Sequence, residues 1–147
     1  MKLKKSSLFA LFAVLELAAD SGRQLSTTDI AEKYGISTHH LAKIMRTLAQ
    51  AGLVQAVRGV GGGYRFSGNT GRTTLLDVIR LFESLESDLD LPNHWEGQEN
   101  PIVSELQRIS REIDELTQAV LDTVTLKTAL RSILPRVSAE TEAGSPR

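Results

Sequence analysis

Apolar positions along the chain fall into blocks whose period changes from helical to alternating and back. From Ser6 to Ala19 nearly every side is apolar (Leu8, Phe9, Leu11, Phe12, Val14, Leu15, Leu17), and the run ends at the Asp20-Ser21-Gly22 turn cluster. That predicts a helix buried on more than one face. A second helix is predicted where Ser26 caps, Asp29 takes the third helical position and Leu25 can staple onto Ile30; it carries Ile30, Ala31 and Tyr34 and stops at Gly35. Ser37 then offers another cap, Ile36 and Leu41 another staple pair, and a third helix continues to Ala51 before Gly52 ends it. Two short capped helices joined around one glycine form the helix-turn-helix pattern.

Leu53 to Arg58, the glycine-rich run Gly59 to Gly63, and Tyr64 to Ser67 read as a β-hairpin with a glycine tip, that is, a wing. Residues 68–72 are a linker. Thr74 and Asp77 open a fourth helix carrying Leu75, Leu76, Val78, Ile79, Phe82 and Leu85. From Ser84 to Asn100 all periodicity is lost; the segment is acidic (Glu86, Asp88, Asp90, Glu96, Glu99) and holds Pro92, His94 and the one tryptophan, Trp95. Asn100-Pro101 is a cap followed by proline at the first helical position, so a long helix is predicted from there to about Thr123. Its apolar residues Ile102, Leu106, Ile109, Ile113, Leu116 and Val120 make a heptad seam along roughly 35 Å of helix, too long for so small a domain to cover alone. A second copy is the expected partner. A last short helix near Thr125 to Leu134 precedes a polar tail, 135–147, expected to be disordered.

The predicted fold class is therefore mainly α with a small β wing: a winged helix-turn-helix over 1–72, then an effector loop and dimerisation helices over 73–134. Charge sharpens this division. The net charge is -1, yet residues 1–72 hold ten Lys/Arg against four Asp/Glu and residues 73–147 hold seven against fourteen, so the halves carry about +6 and about -7. The first half suits a polyanion. The chain has no cysteine, which excludes disulfides, thiol catalysis, thiolate metal sites and Cys-ligated iron–sulfur clusters. Lys2, Lys4 and Lys5 ahead of an apolar run imitate a secretory signal, but Glu16 interrupts the run and its removal would strip the helix that the next elements need. The run is also well short of the about 20 residues of a membrane span. A cytoplasmic protein with no membrane partner is expected.

On a wheel of 100° per residue the third helix places Leu41, Ile44, Met45 and Leu48 on one face and His39, Lys43, Arg46 and Gln50 opposite. A cationic, hydrogen-bonding face is what a major-groove reader needs, with Thr38 and His39 in the first turn. The wing tip, Gly61, Gly62 and Gly63, lets backbone approach phosphate or a minor groove, and Arg58 and Arg65 flank it. Lys4 and Lys5 ahead of the first helix, and Thr27 and Thr28 at the start of the second, suit phosphates. His39 and His40 diverge by about 100° and are poorly placed to chelate one metal, so no metal and no cofactor are expected.

The run Ile36-Ser37, Leu41, Leu48, Ala51-Gly52-Leu53-Val54, Arg58-Gly59, Gly61-Gly62-Gly63-Tyr64 and Thr74-Leu75-Leu76-Asp77-Val78 resembles the Rrf2 family of bacterial regulators of iron–sulfur assembly, nitric-oxide response and cysteine metabolism. The likeness covers residues 1 to about 134. It implies a homodimeric winged-helix repressor or activator, a long helix crossing between subunits, and recognition positions at Thr38, His39, Ala42 and Lys43 with Arg58 as wing arginine. Many relatives carry three cluster-binding cysteines between the fourth and fifth helices; here the equivalent segment has none, and the position where some supply a carboxylate is Leu8. Oxygen and nitrogen ligands alone would hold such a cluster poorly. The input is then an unknown small molecule, a protein partner, or nothing. Trp95 and His94 are the candidate effector contacts, although a lone tryptophan reads more simply as an anchor pinning the loop to the core.

The expected function is sequence-specific binding of double-stranded DNA by a dimer whose recognition helices stand about 34 Å apart on a pseudo-palindromic operator. The alternative is a winged-helix protein-interaction module that does not bind DNA, against which the basic half argues. No phosphate-loop motif and no nucleophile–base arrangement supports an enzyme.

Overall fold

Each capping signal acts where its spacing placed it in the computed structural model, which describes residues 1–95 and 99–143. The elements are α1 (Lys5–Ala19), α2 (Thr27–Tyr34), α3 (Thr38–Gln50), β1 (Val54–Val57), β2 (Gly63–Phe66), α4 (Leu75–Ile79), a 3-10 turn (Asn93–Trp95), α5 (Pro101–Thr123) and α6 (Leu126–Ala143). At the start of α2 the Ser26 hydroxyl accepts from the Asp29 N–H and the Asp29 carboxylate from the Ser26 N–H, a reciprocal box that satisfies two orphan donors. Gly35, at φ 64°, closes α2 in the left-handed region that a side chain would resist. Asn100 caps α5 by accepting from Ile102 and Val103.

Helix α1 is the axle of the core. Ala10, Ala13 and Val14 are fully buried, and α1 packs against α3, α4, α6 and β2, which accounts for its apolarity on nearly every side. Glu16, the polar break in that run, clamps α1 to α2: its carboxylate accepts from Lys33 Nζ at 2.5 Å and from Tyr34 Oη at 2.5 Å, while Phe12 stacks on the Tyr34 ring. The antiparallel hairpin pairs Val54 with Phe66 and Val57 with Gly63.

The 72/73 boundary does not separate two cores. Leu76, Val78 and Ile79 of α4, Leu121 of α5, and Leu126 and Leu130 of α6 join the same buried cluster as α1. The Thr73–Leu75 segment is also tied to the α5–α6 junction, with Leu75 N–H donating to Val124 O and Leu126 N–H to Thr73 O, both at 2.9 Å.

Three expectations change. Helix α4 ends at Ile79 instead of running to Leu85, because the chain tightens into a turn (Leu81 N–H to Val78 O, Phe82 N–H to Ile79 O) that still tucks Phe82 and Leu85 against the core. Helix α6 continues through Pro135 to Ala143, although the tail from 135 was expected to be disordered; a proline removes one backbone donor without obliging the helix to stop. Residues 144–147 of that tail, and Glu96 of the acidic segment, lie outside the described residues. Trp95 does not anchor the loop to the core: it is 42% exposed, with the His94 ring edge-on at 5.9 Å. The segment is held instead by Ser87, whose N–H and hydroxyl both donate to Asp114 on α5 at 2.9 and 2.8 Å.

Candidate nucleic-acid interface

Helix α3 buries Leu41, Ile44, Met45 and Leu48 and leaves Thr38, His39, Lys43, Arg46 and Gln50 exposed, with Ala42 half-buried between the two faces. The cationic stripe thus lies entirely on the solvent side. Ser37 accepts from the His40 N–H and fixes the first turn, the part of a recognition helix that reaches deepest into a groove.

The two adjacent histidines part company. His39 is exposed, whereas His40 turns inward, its Nε2 3.2 Å from Ser6 Oγ and its ring edge-on to Phe9 at 5.5 Å. This places the start of α1 beside the start of α3. Lys4 and Lys5, both exposed, therefore flank the first turn of the recognition helix.

The wing is joined to the entry of α2. Leu25 and Tyr64 exchange backbone hydrogen bonds, which sets the entry of α2, with Thr27 and Thr28, near the turn end of the hairpin, where Tyr64 pairs with Ala56. Arg58 is exposed at the end of β1. Arg65 is exposed as well, but its Nε and Nη2 both donate to Gln55 Oε1 on the facing strand, at 3.3 and 3.0 Å. It also lines a hollow with Ala18 and Ser21, at the end of α1 opposite Lys4 and Lys5. The fold thus brings the N-terminus of α1, with Lys4 and Lys5, beside the first turn of α3, and separately sets Thr27 and Thr28 beside the wing; Arg65, on β2, turns its guanidinium to Gln55.

The glycines of the wing are required first by the hairpin itself. A Cβ on Gly62 would stand 2.5 Å from Val57 O, and one on Gly63 2.4 Å from Leu25 O, so the need for glycine there is internal. Gly61, at φ 75° with open space around it, is the tip residue whose backbone is presented outward. Val60 beside it is fully exposed. A lone valine between glycines carries no periodicity, so nothing in the sequence alone singles Val60 out.

The acidic segment does not fit an iron–sulfur cluster. The chain offers no thiolate, and among the described residues no three His, Asp or Glu side chains gather as a metal site. Among the described residues, too, no helix is long and apolar enough to cross a membrane.

A helix-turn-helix with an exposed cationic third helix, followed by a glycine-tipped two-stranded hairpin, defines a winged-helix DNA-binding transcription regulator. The chain belongs to the Rrf2 family, whose profile, described as iron-dependent transcriptional regulator, matches residues 3–132. It is 45% identical over 144 residues to the HTH-type transcriptional regulator BadM of Rhodopseudomonas palustris, covering 98% of this chain and 90% of that one. Among solved structures it is similar to CymR, the global cysteine regulator of B. subtilis (28% identity, TM-score 0.68, covering 90% of this chain and 98% of that one). It is also similar to IscR of T. potens (26% identity, TM-score 0.65, covering 100% of this chain and 93% of that one).

Proposed function

We propose that this chain works as a homodimeric, cluster-free, cytoplasmic regulator that reads a pseudo-palindromic operator through α3 and the wing and has no enzymatic activity. The observation that carries the reading is the seam on α5. Ile102, Leu106, Ile109, Ile113, Leu116 and Val120 are between 39% and 72% exposed in the single chain, and only Val103 and Leu121 of that helix are buried. Six apolar side chains at heptad spacing on one rigid rod form the half-interface of a helical pair.

The spacing also favours an antiparallel partner. Ile102 and Val120, Leu106 and Leu116, and Ile109 and Ile113 are placed symmetrically about Arg111, so two copies crossing there match every apolar residue with another. Such a dimer carries two copies of the Thr38–Arg46 face, which suits two half-sites about one helical turn apart. Within each half-site Thr38, His39, Ala42 and Lys43 face base edges, while Lys4, Lys5, Thr27, Thr28, Arg46, Arg58 and the Gly61–Gly63 tip serve the backbone and the adjacent groove. Trp95, exposed beside His94, is the aromatic available to an effector on the acidic segment.

Native mass spectrometry at micromolar concentration, together with a salt titration of duplex binding, tests the proposal. A dimer mass with no added iron or sulfide, and an affinity falling steeply with salt, is the expected result. A monomer, or no salt-sensitive attraction to duplex, overturns it.

A further inference from the structure

The first turn of α1 is built without a cap of its own. Lys4, its N-cap residue, makes no side-chain capping bond, and the first turn contains no acidic residue. What fills this role comes from 79 positions away: the Glu83 carboxylate accepts from the Lys4 N–H at 2.8 Å and from the hydroxyl of Ser7, which is fully buried. A remote side chain thus supplies both the missing acceptor and the negative charge that a helix N-terminus favours.

Glu83 stands immediately before the acidic segment, and its neighbours on either side are the elements that matter for DNA binding. On one side, Ser6 in the same turn of α1 meets His40 of α3 at 3.2 Å. On the other, Ser87 holds Asp114 of α5 through its N–H and its hydroxyl. Three polar contacts, Asp114–Ser87, Glu83–Lys4/Ser7 and Ser6–His40, thus lie in succession between the α5 seam helix and α3, joined by short stretches of chain from Glu83 to Ser87 and from Lys4 to Ser7.

We infer that Glu83 is a positioning residue for operator binding: it holds Lys4 and Lys5 and the first turn of α3 in their DNA-ready arrangement, and it transmits to them any displacement of the 84–95 segment. The inference rests on the DNA-binding reading above. An event that draws Glu83 off the Lys4 amide leaves that turn uncapped and leaves the Ser7 hydroxyl buried without its acceptor, so the turn loosens where the lysines project.

The probe is the duplex that the wild-type chain selects from a random-sequence pool. Affinity and its salt slope are measured for Glu83→Ala, Glu83→Gln and Ser7→Ala, each alone and combined with Lys4→Ala/Lys5→Ala, alongside thermal unfolding. Glu83→Ala is expected to weaken binding by roughly threefold to thirtyfold and to flatten the salt slope. Glu83→Gln, which keeps an acceptor, should retain most of the affinity. In the Lys4→Ala/Lys5→Ala background the Glu83→Ala penalty should shrink, since the residues it positions are gone.

Wild-type affinity and slope in Glu83→Ala, or an equal penalty in both backgrounds, overturns the inference; a purely structural role gives the second result. Should Glu83→Ala not fold, Ser7→Ala is read by the same two criteria. A wild-type chain that selects no duplex overturns the DNA-binding reading instead.

Discussion

Leu25 and Tyr64 exchange both of their backbone hydrogen bonds, Leu25 N–H to Tyr64 O at 3.0 Å and Tyr64 N–H to Leu25 O at 2.8 Å. The second wing strand is thereby fastened to the residue that precedes the capping box of α2. The wing is a fixed arm of the helix-turn-helix, and the need for glycine at position 63 is set by this contact.

A methyl group at position 63 would collide with Leu25 O, so Gly63→Ala should destabilise the fold by about 1–3 kcal/mol, through strain at the Leu25 junction. Gly61→Ala meets no neighbour but must adopt φ 75°, at a cost of about 1 kcal/mol. Urea unfolding of the two variants should rank them in that order; the reverse order would mean that the wing is not held at Leu25.

Lys43 and Arg58 should fail differently. Lys43→Ala is expected to relax base preference, with about 1–3 kcal/mol of discrimination lost at one position of each half-site. Arg58→Ala should weaken all sequences about equally and reduce the salt slope by about one per contact. Binding-site selection with each variant separates the two outcomes, and unchanged binding in both would show that the interface lies elsewhere.

The antiparallel seam makes a prediction at its edge. In the heptad set by Leu106 and Ile109, Glu105 and Glu112 flank the core, and Arg108 bridges them within one helix at 2.8 and 3.1 Å. Crossing at Arg111 brings Glu112 close to its own copy, with Arg108 offsetting the like charges, whereas the two copies of Glu105 stand about 18 Å apart along the axis. The chain has no cysteine of its own. Glu112→Cys should therefore be joined across the dimer by a short bis-maleimide and Glu105→Cys should not; equal yields would point to parallel helices.

Glu16 gives a pH dependence whose sign can be stated. Burial raises its pKa, but the hydrogen bonds from Lys33 and Tyr34, with the charges of Lys33 and Arg23, outweigh burial and hold it below the usual 4.5. A carboxyl group with a depressed folded-state pKa contributes stability that is present above its unfolded value and is lost as pH falls through the folded one. The melting-temperature gap between wild type and Glu16→Gln should be widest at neutral pH and narrow below about pH 4.5. A gap that stays constant with pH would mean that the ion pair contributes nothing.

Residue order alone is enough for whatever is written within one turn of helix or one hairpin. Ser26 with Asp29, Ser37, Thr74 with Asp77, and Asn100-Pro101 place their helix starts because a cap and its donor are within three residues of each other, and the heptad from Ile102 to Val120 marks an apolar face by period alone. Features that depend on partners far along the chain emerge with the packing of the elements. Packing separated His40 from His39, shortened α4 as its chain turned back to the core, and brought Glu83 to the bare N-terminus of α1. The physical reason is that a polar side chain's partner is set by which elements pack side by side, and that adjacency leaves no trace in the residues next to it.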